Sequence, residues 1–156
     1  MDSNDSSIAD AADRNGQRDS APSAQPDSDL VAFVDSSALV ALVDRDDATH
    51  AAAVEAYRGL VESGYKLVTT NHVIAETYDL LSGGLGTALA RRWLRDINIA
   101  VYHADEQDEA KARRLIIAAA EQRLLSYTDA VSLVVMDRLR IADAFAIDPN
   151  FLAETA

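Results

Sequence analysis

Four carboxylates stand out by type and setting: Asp35, Glu76, Asp129 and Asp148. Each lies in an apolar neighbourhood, and no Lys or Arg falls within several residues of Asp35 or Glu76. A buried carboxylate is unfavourable unless something pairs with it. If the four converge in space, a divalent cation is the simplest partner. Hard cations such as Mg2+ and Mn2+ take oxygen ligands, and Mg2+ keeps several of its waters. A site of that kind activates a water and stabilises a leaving oxygen, which is the chemistry of phosphodiester hydrolysis.

Each acid also has a plainer role open to it. Asp35 directly follows an apolar strand, where a lone Asp is more often a helix cap or a turn residue. Glu76 lies in His72-Val73-Ile74-Ala75-Glu76-Thr77-Tyr78-Asp79-Leu80-Leu81. Val73 precedes it by three and Leu80 follows by four, so Glu76 is expected on their core-facing side, with Asp79 solvated. Asp129 at a helix start would favour the dipole, but Thr128 competes for the cap and leaves Asp129 free. Asp148-Pro149 is a turn signal. Asp143 is the nearby alternative acid, ranked lower because it begins a strand rather than ends one.

The elements that must position these acids alternate between strand and helix. Leu30 to Val34 is a short β-rich apolar run. Ser36-Ser37 opens a helix from Ala38 to Val43, with a serine as cap. His50, Val54, Tyr57 and Val61 form a helical stripe that Gly64 stops. Lys66 to Thr70 is a second strand, and Thr70 or Asn71 caps a helix from about His72 to Leu81, closed by Gly83-Gly84. A helix from about Thr87 to Asp96 and a strand from Asn98 to Tyr102 follow. The acids around Asp105 begin the next helix, whose buried stripe is Ala112, Leu115, Ile116 and Ala119. Thr128 caps a final long helix to about Leu139, and Ala142 to Ile147 is a fourth strand. This order implies an α/β fold, a three-layer α/β/α sandwich with a mostly parallel central sheet. Ligands in such sheets gather at the carboxyl ends of the strands, where Asp35 and Asp148 fall.

Composition bounds the alternatives. The chain has 156 residues, a 49% hydrophobic fraction and no cysteine, which fits one domain with a real core and excludes disulfides and cysteine–metal sites. His50, His72 and His103 lack zinc-motif spacing. There is no secretory signal and no run of roughly 18 apolar residues, so a cytoplasmic protein without a membrane span is expected. Residues 1–29 carry seven acids against Arg14 and Arg18, with only Met1 and Ile8 large and apolar. That stretch reads as a disordered acidic tail, and 30–156 as the folded domain. The net charge is −12, and only Lys66 and Lys111 are lysines. A high-salt cytoplasm favours such a surface, so a halophilic source is expected. The acidity argues against nucleic-acid binding less than it first suggests, because metal ions bridge acids to phosphates.

Four segments then carry a resemblance: Phe33-Val34-Asp35-Ser36-Ser37-Ala38-Leu39, Ala75-Glu76, Ser126-Tyr127-Thr128-Asp129-Ala130, and Ala144-Phe145-Ala146-Ile147-Asp148-Pro149-Asn150-Phe151. In this order and spacing, residues 31–151 resemble the PIN domain, and within it the VapC-type toxin ribonucleases. The resemblance implies a parallel-sheet α/β/α sandwich and Mg2+- or Mn2+-dependent endoribonuclease activity leaving 5′-phosphate and 3′-hydroxyl ends. It implies Asp35, Glu76 and Asp129 as the three central metal-binding acids and Asp148 as the fourth. Thr128 matches the hydroxyl residue beside the third acid, and Ser36 supports the site from behind. His50 matches a common family position and is assigned packing or capping. The resemblance further implies an RNA substrate, an antitoxin partner and a homodimer. Arg91, Arg92 and Arg95, with Arg113 and Arg114, are the candidate phosphate contacts, and Tyr57 and Trp93 the candidate interface residues, although core packing is the default for these two.

Three other functions compete with a toxin nuclease: a PIN-domain RNA-processing nuclease outside any toxin–antitoxin pair, a catalytically silent PIN-like binding module, and phosphotransfer from a strand-end Asp. The last ranks far behind, since Asp35 lacks an Asp-x-Asp context and a suitably placed Lys.

Overall fold

Four short strands pair side by side, all parallel: β1 (Val31–Val34), β2 (Lys66–Thr70), β3 (Ala100–Tyr102) and β4 (Asp143–Phe145), in the order β3-β2-β1-β4. The computed structural model describes residues 29–156, so the tail expected over 1–29 lies outside the described residues except for Asp29. Around the sheet lie α1 (Ser36–Val43), α2 (His50–Glu62), α3 (Asn71–Leu85), α4 (Thr87–Asp96), α5 (Glu106–Ala118), α6 (Tyr127–Leu139) and α7 (Pro149–Thr155). The fold is the expected α/β/α sandwich.

Parallel strands covered on both faces read as continuous apolar runs, and β1 shows this: Ala32, Phe33 and Val34 are buried. Phe33 meets Phe151 of α7 at a ring separation of 6.3 Å. Val131, Val135 and Met136 of α6, Val73 of α3 and Ala112 of α5 close the same core. The buried Thr69 hydroxyl donates to the Val34 carbonyl at 2.7 Å, pinning β2 to the end of β1 just before Asp35. Strand β1 is left through α1 and α2 to β2 on one side, while β4 joins it on the other. The strand order therefore reverses between β1 and β4, and crevices form at the carboxyl ends of such a switch point.

Several sequence expectations are corrected. The cap of α1 is Asp35, not a serine, because its side chain accepts from the Ser37 amide. Helix α3 runs through Gly83 and Gly84 and ends at Gly86, whose φ of +95° suits glycine. Its buried stripe is Val73, Thr77 and Leu81, whereas Leu80 is half exposed, so Glu76 sits at the edge of the buried face. Thr128 does not cap α6. Ser126 does, two residues earlier, by accepting from the Asp129 amide. The fourth strand is shorter than expected, and Asp148-Pro149 opens a helix rather than a bare turn, with Pro at the first helical position where its missing N–H is harmless.

Buried charge away from the sheet end is fully answered. Asp108 is 1% exposed, and its carboxylate accepts from Arg138 at 2.7 Å, the Tyr102 hydroxyl at 3.0 Å and the Asp105 amide at 3.0 Å. Burial opposes its charge, but these donors outweigh burial and hold it below the usual carboxylate range. His50 has the structural role expected of it, with Nδ1 donating to the Ala41 carbonyl at 2.7 Å.

Candidate active site

The crevice at the carboxyl ends of the strands is built around the turn from β1 into α1. Asp35 is 2% exposed, and its amide donates to the Phe145 carbonyl of β4 at 3.0 Å. One carboxylate oxygen, Oδ2, accepts from the Ser37 amide at 3.1 Å and from Ser37 Oγ at 2.6 Å. The other, Oδ1, is buried with no hydrogen-bond partner. Capping therefore engages one oxygen of Asp35 and leaves the other unpaired.

Ser37 does more than help a cap. Its Oγ also accepts from the amides of Ile147 at 2.9 Å and Asp148 at 3.1 Å. One hydroxyl therefore joins the first acid to the backbone that carries the fourth. Ser37 is a positioning residue that the sequence did not reveal, since its partners lie more than a hundred positions away. Asp148 in turn caps α7, its Oδ1 accepting from the Asn150 amide at 2.9 Å.

The second acid comes from α3. Thr70, the last residue of β2, accepts from the Val73 amide at 3.2 Å and fixes the helix start, which places Glu76 in the second turn above the sheet end. Asn71 Oδ1 accepts from the Ala104 amide at 3.0 Å and ties that start to the turn after β3. Glu76 is half-buried, and its Oε2 is enclosed without a partner. Burial pushes its carboxyl above the usual range, and the charges of Asp35 and Asp148 push the same way. Contacts from Thr128 and Ser36 oppose them.

The third acid, Asp129, stands in the first turn of α6. Its carboxyl is pushed up to about 6, first by burial and next by the Asp35 charge, against hydrogen bonding from Ser126. Glu76 thus feels the charges of Asp35 and Asp148, and Asp129 those of Asp35 and Glu76. They do not form a closed cage as the side chains stand. Among the described residues, no group of three or more His, Cys, Asp or Glu gathers closely enough to hold an ion. Two enclosed, unsatisfied carboxylate oxygens amid like charge are what a cation would relieve, so the donor set is chemically suited to a hard divalent ion.

Arg95 is committed to its neighbour Asp96 through bonds of 2.7 and 3.0 Å, and Arg92 lines a surface hollow with Asp44, Asp46 and Asp96. Both, like Arg91, belong to α4, which packs against α3. Arg113 of α5, by contrast, reaches the phenol of Tyr127, two residues before Asp129. Trp93 packs partly buried against the core as the default expected, while Tyr57 is 43% exposed.

A switch-point crevice of acids on this parallel sandwich defines the class. The PIN domain family model matches residues 32–153, and the chain belongs to that family. The 23S rRNA-specific endonuclease VapC20 of Mycobacterium tuberculosis is 32% identical to it over 124 residues, which is 78% of this chain and 92% of that protein. The same holds for VapC20 of strain H37Rv. The crystal structure of M. tuberculosis VapC20, described as a sarcin-ricin loop cleaving toxin, matches with a TM-score of 0.68 and 31% identity, covering 79% of this chain and 93% of that one.

Proposed function

We propose that this chain is a Mg2+- or Mn2+-dependent endoribonuclease, the toxin of a VapBC-type pair, and that its substrate is a structured loop of ribosomal RNA. The observation that carries the reading is the pair of buried, partnerless oxygens, Asp35 Oδ1 and Glu76 Oε2, at the sheet end of a chain 32% identical to VapC20. Asp35, Glu76 and Asp129 would hold the metal, with Asp148 as a fourth acid. When bound, the metal lowers the pKa of a coordinated water and neutralises charge on the phosphate. The chain's own residues do the orienting. Ser37 locks Asp35 and keeps the Asp148 backbone in register, while Thr128 and Ser36 steady Glu76.

An antitoxin and a second copy belong to this reading as partners. A hollow of about 610 Å3 beside Tyr57, Val61 and Trp93 supports a partner segment docking there. A cytoplasmic setting follows from a ribosomal substrate, and among the described residues no helix is long and apolar enough to cross a membrane. A PIN-like binding module is the second reading, favoured by the acids' failure to close on one point.

Incubation with ribosomes and with a sarcin–ricin loop hairpin, in Mn2+, Mg2+ or EDTA, tests the proposal. The expected result is cleavage only with metal, at a discrete loop position, leaving 5′-phosphate ends. Binding without cleavage under every metal condition would favour the binding module.

A further inference from the structure

An aromatic pair lies on the rim of the acidic crevice. Tyr127 and His72 face each other with ring centroids 5.7 Å apart at a tilt of 36°. Both are tied in sequence to the acids. His72 is one helical turn before Glu76 on α3, on the same side of that helix, and Tyr127 is two residues before Asp129 at the start of α6. His72 is held in place from behind, its Nε2 paired with Glu109 Oε1 at 3.0 Å. Tyr127 is not covered. A tyrosine serving only to glue α3 to α6 would be enclosed, whereas Tyr127 keeps 39% of its surface in solvent. Arg113 reaches its hydroxyl.

Resting on the nuclease reading above, we propose that Tyr127, braced by His72 and flanked by Arg113, is a stacking platform for an unpaired RNA base next to the cleaved phosphate. An exposed ring offers a π-face to any base, and proteins that bind single-stranded RNA combine such rings with cations that meet the backbone. Stacking needs no base-edge hydrogen bonds, so the platform fixes where the strand lies while leaving base identity to other contacts. It also explains how a strongly acidic protein holds RNA at its acidic end: the base stacks, Arg113 takes a neighbouring phosphate, and the acids are left to the metal.

Fluorescence anisotropy with a labelled sarcin–ricin loop hairpin in EDTA, for wild type, Tyr127→Phe, Tyr127→Leu and Tyr127→Ala, tests this. Wild-type and Phe proteins are expected to bind within about twofold of each other, with Leu and Ala weaker by roughly 5- to 100-fold. One abasic nucleotide in the loop is expected to weaken the wild type but not Tyr127→Ala, because the contact is already lost. An Ala variant with wild-type melting and wild-type affinity overturns the platform. So does full recovery by Leu, or abasic effects that multiply with the Ala effect at every position. Cleavage by wild type in Mn2+, run alongside, separates the two claims. A hairpin cut normally but indifferent to Tyr127 refutes only the platform, and a hairpin neither bound nor cut refutes the nuclease reading as well.

Discussion

Replacing Asp129 with Asn is expected to make the metal-free protein more stable, by an amount the site itself sets. Burial and the Asp35 charge lift the Asp129 carboxyl from an ordinary 3.8 to about 6. A rise of that size is worth about 3 kcal/mol in a dry site. Asp129 is only half-buried, so solvent screening reduces this to about 1–2 kcal/mol. The sign follows from linkage. Below pH 4 the group is protonated in folded and unfolded chains alike and contributes no penalty. Between about 4 and 6 the folded chain keeps a proton that the unfolded chain releases, so stability falls as pH rises. Above about 6 both are ionised and the fold carries the full penalty. Asn is neutral and keeps the shape. Thermal melts of wild type and Asp129→Asn in EDTA, compared at each pH from 4.5 to 8, are therefore expected to diverge progressively, reaching about 3–8 °C above pH 7 in favour of the variant. Added Mn2+ is expected to raise the wild type and close the gap. A gap that is absent at pH 7.5, or equal at pH 4.5 and pH 8, would refute the picture of Asp129 as a repelled, half-buried acid.

Three further outcomes are expected. Ser37→Ala removes the hydroxyl joining Asp35 to the Ile147 and Asp148 amides, which lowers stability by about 1–3 kcal/mol in urea unfolding. It also lowers kcat more than it raises KM, because the acids lose their spacing rather than their substrate. Arg138→Leu strips the buried Asp108 of its cation and is expected to destabilise by about 3–5 kcal/mol, while Arg138→Leu combined with Asp108→Asn recovers much of that loss. The acidic, lysine-poor composition makes halophily testable as well: melting temperature is expected to rise steadily with KCl up to molar concentrations, and a flat or falling profile would assign the composition to codon bias.

The acids were legible because three of them sit at element boundaries, where β-rich runs, hydroxyl caps and an Asp-Pro step mark the chain. The sandwich followed from the alternation of strand and helix, whereas the order of the strands, set by contacts between distant segments, did not. What stayed hidden depends on contacts between distant segments. Ser37 read as a spare cap, since nothing local distinguishes it from Ser36, yet it is Ser37 that meets the Asp148 backbone. The extension of α3 through Gly83-Gly84 was missed because packing against α4 outweighs the weak helix propensity of glycine. Helix α7 was missed because Asp-Pro signals a turn and a helix start equally well, and only the burial of Phe151 against Phe33 decides between them.

The central claim is that Asp35, Glu76, Asp129 and Asp148 bind a divalent cation, and titration calorimetry with Mn2+ tests it most directly. Wild type is expected to bind Mn2+ saturably, with Asp35→Asn at least tenfold weaker at an unchanged fold by circular dichroism. Equal Mn2+ affinity in the two proteins, or no saturable binding in the wild type, would contradict the metal site and with it the nuclease mechanism built on these acids.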